Sequence, residues 1–289
     1  DLDIWELVID SVMDSVKLIP FLFLTYLIME YLEHRAGEKT EALMRKAGHL
    51  GPVIGGALGV VPQCGFSAAA SNLYAGRVIT LGTLLAVYLS TSDEMLPVLI
   101  SEHAPVGSIA GILLAKAGIG ITAGLLIDLL LKKKGGHDHA HGSHIHEICE
   151  HEHCRCEKGI FRSALSHTVR IALFILLITF LLNLLLFFAG EEALANVILN
   201  RPVAGTLLAG LVGLIPNCAG SVVITQLYLE GIIGIGSAMA GLLTGSGVGL
   251  LVLFRVNHHK KENIRILGLL YGIGVLAGIV IELVMTAGA

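Results

Sequence analysis

Apolar residues run through this chain in stretches of roughly 20, the length a helix needs to cross a bilayer core, and polar residues collect between them. Five stretches are continuous: Leu7–Leu32, Val106–Leu131, Ile171–Ala189, Ile235–Phe254 and Ile264–Met285. Three others are broken in the middle. Leu50–Tyr74 contains Val61-Pro62-Gln63-Cys64-Gly65, Pro202–Tyr228 contains Ile215-Pro216-Asn217-Cys218-Ala219, and Val78–Ile100 contains Ser90-Thr91-Ser92-Asp93-Glu94. Proline removes a donor and clashes with the preceding turn, so the interrupted stretches are expected as half-helices or hairpins. The pattern predicts an all-α polytopic membrane protein.

The pattern also repeats. Pro62 and Pro216 lie 216 − 62 = 154 positions apart, and the same ungapped offset pairs Gly51 with Gly205, Gly56 with Gly210 and Gly59 with Gly213. It continues through Gln63/Asn217, Cys64/Cys218, Ser67/Ser221, Asn72/Gln226, Leu73/Leu227 and Tyr74/Tyr228, and still holds at Gly82/Gly236, Thr83/Ser237, Ser90/Thr244 and Ser92/Ser246. Chance alignment of Gly- and Leu-rich segments does not readily set Pro-Gln-Cys over Pro-Asn-Cys in the same frame as Asn-Leu-Tyr over Gln-Leu-Tyr. Three regions follow: a first transmembrane repeat at 1–134, a connecting loop at 135–160, and a second repeat at 161–289.

Charge orients the halves. Loop Glu33–His49 carries Arg35, Lys39, Arg45 and Lys46, whereas its counterpart Gly190–Arg201 carries Glu191, Glu192 and a single Arg at its edge. Ser101–Pro105 has an acid and no Lys or Arg, whereas Arg255–Arg265 has four basic residues. Under the positive-inside rule corresponding loops face opposite sides, as inverted-topology repeats with an odd number of crossings require. Five crossings per half, about five helices each with breaks near the midplane, satisfy the charges. Three crossings plus a re-entrant hairpin satisfy them equally. Either arrangement puts Lys132-Lys133-Lys134 and the connecting loop inside.

Composition agrees with the spans. The chain is 54% hydrophobic and 15% charged, against about 25% charged in soluble domains, and its mean hydropathy is +0.79. Its 35 glycines suit closely packed membrane helices. A net charge of −4 without a basic face argues against nucleic-acid binding. The chain opens on Asp1 without a cleavable leader, so its start is expected to be trimmed. No HExxH, GxSxG or Walker motif is present, which argues against an enzyme and an ATP-driven pump.

Three features carry candidate chemistry. The first is the pair of breaks, with Gln63, Cys64 and Ser67 from one half and Asn217, Cys218 and Ser221 from the other. A broken helix frees backbone N–H and C=O groups, tolerable only in protein or around a polar cavity, and transporters place such breaks at the substrate site. The second is Ser90-Thr91-Ser92-Asp93-Glu94, with Thr244 and Ser246 as repeat counterparts. Adjacent acids at membrane depth cost about 2.5–3.5 kcal/mol each on insertion scales. Asp93 and Glu94 either bind a cation, carry a proton, or mark a helix end at the outer interface; Lys116, also inside a span, either pairs with an acid or snorkels. The third is the loop, where His137, His139, His141, His144, His146, Cys149, His151, His153, Cys154 and Cys156 crowd together. Imidazole and thiolate suit Zn, Ni, Cu and similar ions, and the loop is expected to bind Zn, Ni, Mn or similar ions without the spacing of a folded zinc finger; clustered thiols fit the reducing cytoplasm.

The run Val-Pro-Gln-Cys-Gly-Phe-Ser, then Ser-Thr-Ser-Asp-Glu-Met-Leu-Pro, then Ile-Pro-Asn-Cys-Ala-Gly-Ser resembles the ten-helix heavy-metal exporter family, whose members are labelled arsenic efflux proteins or manganese transporters. The resemblance extends over nearly the whole chain. A more distant likeness is to organoarsenical permeases, which carry Pro-x-Cys-x-Cys at a similar break; here Phe66 and Gly220 stand where the second Cys would be. The resemblance implies a secondary exporter of divalent or heavy-metal cations in a bacterial or archaeal inner membrane, with no required cofactor. Lipid and a small inorganic ion are the expected partners, nucleic acid is not, and a homo-oligomer is compatible with the sequence. The competing reading is a carrier of phosphate or arsenic oxyanions, held at the facing half-helix N-termini that follow Cys64 and Cys218.

Overall fold

The computed structural model describes residues 50–61, 64–92, 95–101, 103–133, 202–216 and 218–287, with isolated helical positions between 9 and 27 and between 161 and 180. The described residues are helical throughout their regular elements. We label ten of these: α1 (Gly51–Gly59), α2 (Cys64–Ala75), α3 (Leu81–Ser90), α4 (Met95–Ser101), α5 (Val106–Lys133), α6 (Pro202–Gly213), α7 (Cys218–Leu229), α8 (Ile235–Thr244), α9 (Gly249–Val256) and α10 (Lys260–Ala287).

The element boundaries recur at the sequence offset. The starts of α2 and α7 differ by 218 − 64 = 154, those of α3 and α8 by 235 − 81 = 154, and those of α5 and α10 by 260 − 106 = 154. The turns recur as well. Val78 N–H donates to Leu73 O at 2.8 Å and Ile232 N–H to Leu227 O at 2.9 Å, closing each hairpin arm in the six-to-one pattern that needs a left-handed residue. That residue is Gly231 (φ 72°) in the second half but Arg77 (φ 57°) in the first, a position where a side chain costs about 1–2 kcal/mol.

Close approaches fix the path of the chain. A Cβ at Gly51 would meet Thr83 Oγ1, one at Gly55 would meet Val87, and one at Gly59 would lie 2.1 Å from Ser90 Oγ. These pairs ascend together, so α1 and α3 run parallel and α2 must return between them. The α1–α2 stretch therefore turns back at its break instead of crossing as one rod, as both paths that the loop charges permit require. The α3/α5 pairs descend: Gly82 meets Gly124, and Ala86 meets Gly120. The second half repeats both relations. Thr206 meets Ser237 at 3.2 Å and Gly213 meets Gly241 and Thr244, while Gly236 meets Gly278 and Gly274 meets Thr244.

Each long helix also caps its neighbour. Asp128 on α5 accepts from Gly82 N–H at 2.9 Å and from Thr80 Oγ1 at 2.6 Å, and Glu282 on α10 accepts from Gly236 N–H at 2.8 Å. A carboxylate at a helix N-terminus satisfies orphan donors and the helix dipole. The residue near the start of α10, Glu262, instead meets Arg77 in the α2–α3 turn. Late α5 and early α10 thus touch the same turn, and these equivalent helices run in opposite directions.

Burial separates core from lipid-facing helices. The stretch Ile235–Val256, which is α8 and α9 in line, is 89% buried in its most apolar window, against 22% for Val106–Leu131 and 28% for Lys260–Thr286. All three are long and apolar enough to cross a membrane. Leu114, Leu276, Val280 and Val284 are exposed, as lipid-facing side chains are. The protein is an integral membrane protein with two broken spans at its centre and long helices outside.

Candidate transport site at the helix breaks

The interior of an apolar bundle leaves broken backbone unsatisfied unless polar side chains gather there. They do. Ser67, Ser71, Ser90, Thr91, Ser92, Thr244 and Ser246 are all buried among the described residues. Ser90 and Thr91 turn back onto their own helix, donating to Ala86 O and Val87 O at 2.7 Å each. Ser92 reaches across to the tip of the first hairpin, donating to Val60 O at 2.5 Å. Thr244 has Gly210 O of α6 at 2.9 Å and Gly241 O of its own helix at 3.0 Å.

The break between α8 and α9 joins the two halves. It runs through Gly245 and Ser246 to Gly247, which has φ 54°. A Cβ at Gly245 would lie 3.2 Å from Ser221 Oγ, in the first turn of α7. A Cβ at Gly249 would lie 2.8 Å from Ser67 Cβ, in the first turn of α2. The break therefore sits between the starts of both hairpin return arms, whose first residues are Cys64 and Cys218. Ser71 Oγ ties this side together, 2.7 Å from Tyr88 Oη, Ser67 O and Gly249 O.

Lys116 neither snorkels nor lies at an edge. It is 1% exposed, the one charged side chain among the described buried residues, and its ammonium donates to Leu242 O in the last turn of α8. Ser246 differs from its repeat counterpart. Where Ser92 bonds Val60 O, the buried Ser246 Oγ has no hydrogen-bond partner, alone in this respect among the described buried side-chain oxygens and nitrogens. Buried polar groups are nearly always paired, so this hydroxyl marks a place where a ligand oxygen or ion has something to gain.

Gln63, Asn217, Asp93 and Glu94 lie outside the described residues, as do the ten His and Cys of the connecting loop, from His137 to Cys156. The neighbours that bracket the acids in sequence, Ser92 and Met95, are both 1% exposed. Among the described residues no cluster of three or more His, Cys, Asp or Glu side chains is assembled.

A second polar group lies at one face of the bundle and escaped sequence reasoning. Arg77 grips Glu262 through two parallel bonds of 2.7 and 2.9 Å. Tyr74 donates to the same carboxylate, and Asn257 bonds Asn263 at 2.7 Å beside it. Hydrogen bonding to Glu262 raises the Arg77 pKa above its ordinary value, against the opposing effect of burial. The bidentate geometry is the strong form of such a pair, and it offsets the left-handed backbone that Arg77 adopts. The equivalents of Glu262 and Arg77 are Ser108 and Gly231, so among the described residues this clasp has no counterpart in the other half.

No characterised relative and no solved structure matches the chain. One family matches residues 3–189, which take in the first hairpin, the acidic break and the connecting loop but end before the second Pro-Asn-Cys. The first-half motif lies within that match, and the chain belongs to the family described as "Putative, 10TM heavy-metal exporter".

Proposed function

We propose that the chain is a secondary exporter of a divalent or heavy-metal cation, working by alternating access around the 245–249 break. One observation carries this reading: that break lies between Ser221 and Ser67, at the starts of two hairpin arms from different halves. Cargo there has the Ser246 hydroxyl and freed carbonyl oxygens as ligands, with Asp93 and Glu94 supplying the negative charge. Hard divalent cations take such oxygen sets, while Cys64 and Cys218 add softer donors for thiophilic metals. The reading gives the connecting loop, His137 to Cys156, the role of gathering metal on the cytoplasmic side of a bacterial or archaeal inner membrane.

The halves act as inverted-topology repeats. Support comes from the opposed directions of α5 and α10 and from the opposite charge of corresponding loops. In such proteins one repeat rocks against the other around a fixed midplane site, and the Arg77–Glu262 clasp closes one face. External maleimide labelling of single-cysteine variants tests the arrangement. Probes at His103 and Glu191 are expected to react from outside and probes at Lys39 and Lys260 only after permeabilisation. Equal labelling of Lys39 and Glu191 probes from one side excludes it.

A specific observation favours the oxyanion alternative. Lys116 is positive, and the starts of α2 and α7 present N–H groups and positive dipole ends to the break. Flux in proteoliposomes separates the two: Mn2+ and Zn2+ against phosphate and arsenite, with and without a pH gradient. Cation flux is the expected result, and phosphate or arsenite flux alone overturns it.

A further inference from the structure

We propose that the Lys116 ammonium is a resident cation of the transport site, held at the C-terminal end of half-helix α8, and that cargo must displace it. The inference rests on the cation reading above and concerns what makes the bound cation leave again.

The place that Lys116 occupies is a cation site by its chemistry. Helix α8 stops at Thr244, so the carbonyls of its last turn lack helical partners and carry the negative end of the helix dipole. Leu242 O is one of them, and the ammonium meets it at 2.5 Å. One turn further along the chain stands Ser246, buried and with its hydroxyl unpartnered. A fixed positive charge and an unused oxygen donor thus adjoin the same break.

The fold does not require the charge. The position equivalent to Lys116 is 116 + 154 = 270, which is Leu270 and fully buried. The carbonyl equivalent to Leu242 O is that of Tyr88, which accepts the Thr91 N–H of its own chain segment at 3.4 Å. One half closes this helix end with backbone, while the other does so with a lysine brought from the opposite half. A lysine at membrane depth is costly, and such residues mark ion pathways more often than packing.

Two positive charges cannot share so small a region without raising each other's energy. Cargo binding beside Ser246 therefore drives the ammonium off Leu242 O. That releases a contact between the first half, which owns Lys116, and the second, which owns α8. Return of the ammonium expels the cargo. Lys116 would act through the site's electrostatics, as a positioning residue that sets release.

The test is Mn2+ flux and equilibrium Mn2+ binding for wild type, Lys116→Met and Lys116→Arg, each reconstituted from a monodisperse peak. Lys116→Met is expected to bind Mn2+ roughly tenfold more tightly and to lower KM and kcat together by a similar factor, a coupling of ordinary size. Lys116→Arg keeps the charge and is expected to hold KM within about threefold of wild type. If Lys116→Met does not fold, Lys116→Gln keeps an N–H donor for Leu242 and gives the same readout. A lower kcat with an unchanged KM would reduce Lys116 to a structural cap and overturn the proposal. A raised KM overturns it too, by making the lysine an attractive ligand. Wild type without any Mn2+ flux rejects the cation reading itself, whereas wild-type flux with an unmoved KM rejects only the lysine's role.

Discussion

Asp93→Asn is expected, on the cation reading, to reduce Mn2+ flux at least about thirtyfold, because removing the counter-charge of a desolvated cation costs about 2–5 kcal/mol. On the cation reading this carboxylate supplies counter-charge to the cargo, and Asn fills almost the same volume without the charge. The double substitution Ser67→Ala with Ser221→Ala is the paired control. Ser67 Cβ packs against the Gly249 position and Ser221 Oγ against Gly245, so both flank the break, yet neither supplies charge. In a cation carrier their loss is expected to change flux by no more than a few fold. In an oxyanion carrier the pattern inverts: each lost hydrogen bond to a charged ligand costs about 1.5–3 kcal/mol, and Asp93→Asn does little or even helps by removing repulsion. Full Mn2+ flux in Asp93→Asn, with flux lost in the double serine variant, makes the oxyanion reading the better one.

The contrast between the two hairpins and the two broken spans shows where sequence information ends. The breaks at Pro62 and Pro216 are visible because proline and a polar run interrupt an apolar stretch. Whether the chain then crosses or returns is invisible to charge counting, since five crossings and three crossings plus a hairpin have the same parity. The close approaches of Gly51, Gly55 and Gly59 along α3 show that the chain turns back at the break, and they are long-range contacts with no local signature. Asp128 and Glu282 were within reach of sequence: 282 − 128 = 154 sets both acids at the repeat offset. Near span ends they read as ordinary interfacial acids, and only their bonds to Gly82 and Gly236 reveal them as caps.

The asymmetric residues were the hardest to read. A repeat predicts what its halves share, and the proposed function draws on what they do not. Lys116 stands out in an apolar stretch, but its partner Leu242 O is 126 residues away and is backbone, which no sequence pattern marks. Arg77 replaces the glycine that the turn geometry favours, as Gly231 shows. That substitution is legible only once the repeat is aligned and the turn is known to be left-handed. Its partner Glu262 is 185 residues away. Of the polar residues that the sequence marks at the breaks, the described Ser92 meets Val60 O across the hairpin tip, whereas Ser246 meets no partner.

Close helix packing leads to the second large expected effect. Gly124→Val and Gly278→Val are each expected to abolish a monodisperse peak in size-exclusion chromatography, whereas Gly118→Val and Gly272→Val leave it. A Cβ at Gly124 would sit 2.4 Å from Gly82 O, and one at Gly278 would sit 2.6 Å from Gly236 O. Those obstacles are backbone, so relief requires α5 to part from α3, or α10 from α8. Overpacking a core typically costs about 1–3 kcal/mol, and more when whole helices must separate, because small residues at membrane helix contacts are what allow close approach. Separation would also pull Asp128 and Glu282 away from the helix ends that they cap. At Gly118 and Gly272 an added Cβ meets nothing within 4 Å, so valine there only replaces lipid contact. The two damaging positions are repeat equivalents, 278 − 124 = 154, and their obstacles are equivalent too. Damage of equal size in both is therefore expected, and a Gly278→Val protein as stable as Gly272→Val would mean that the second half is not packed as the first.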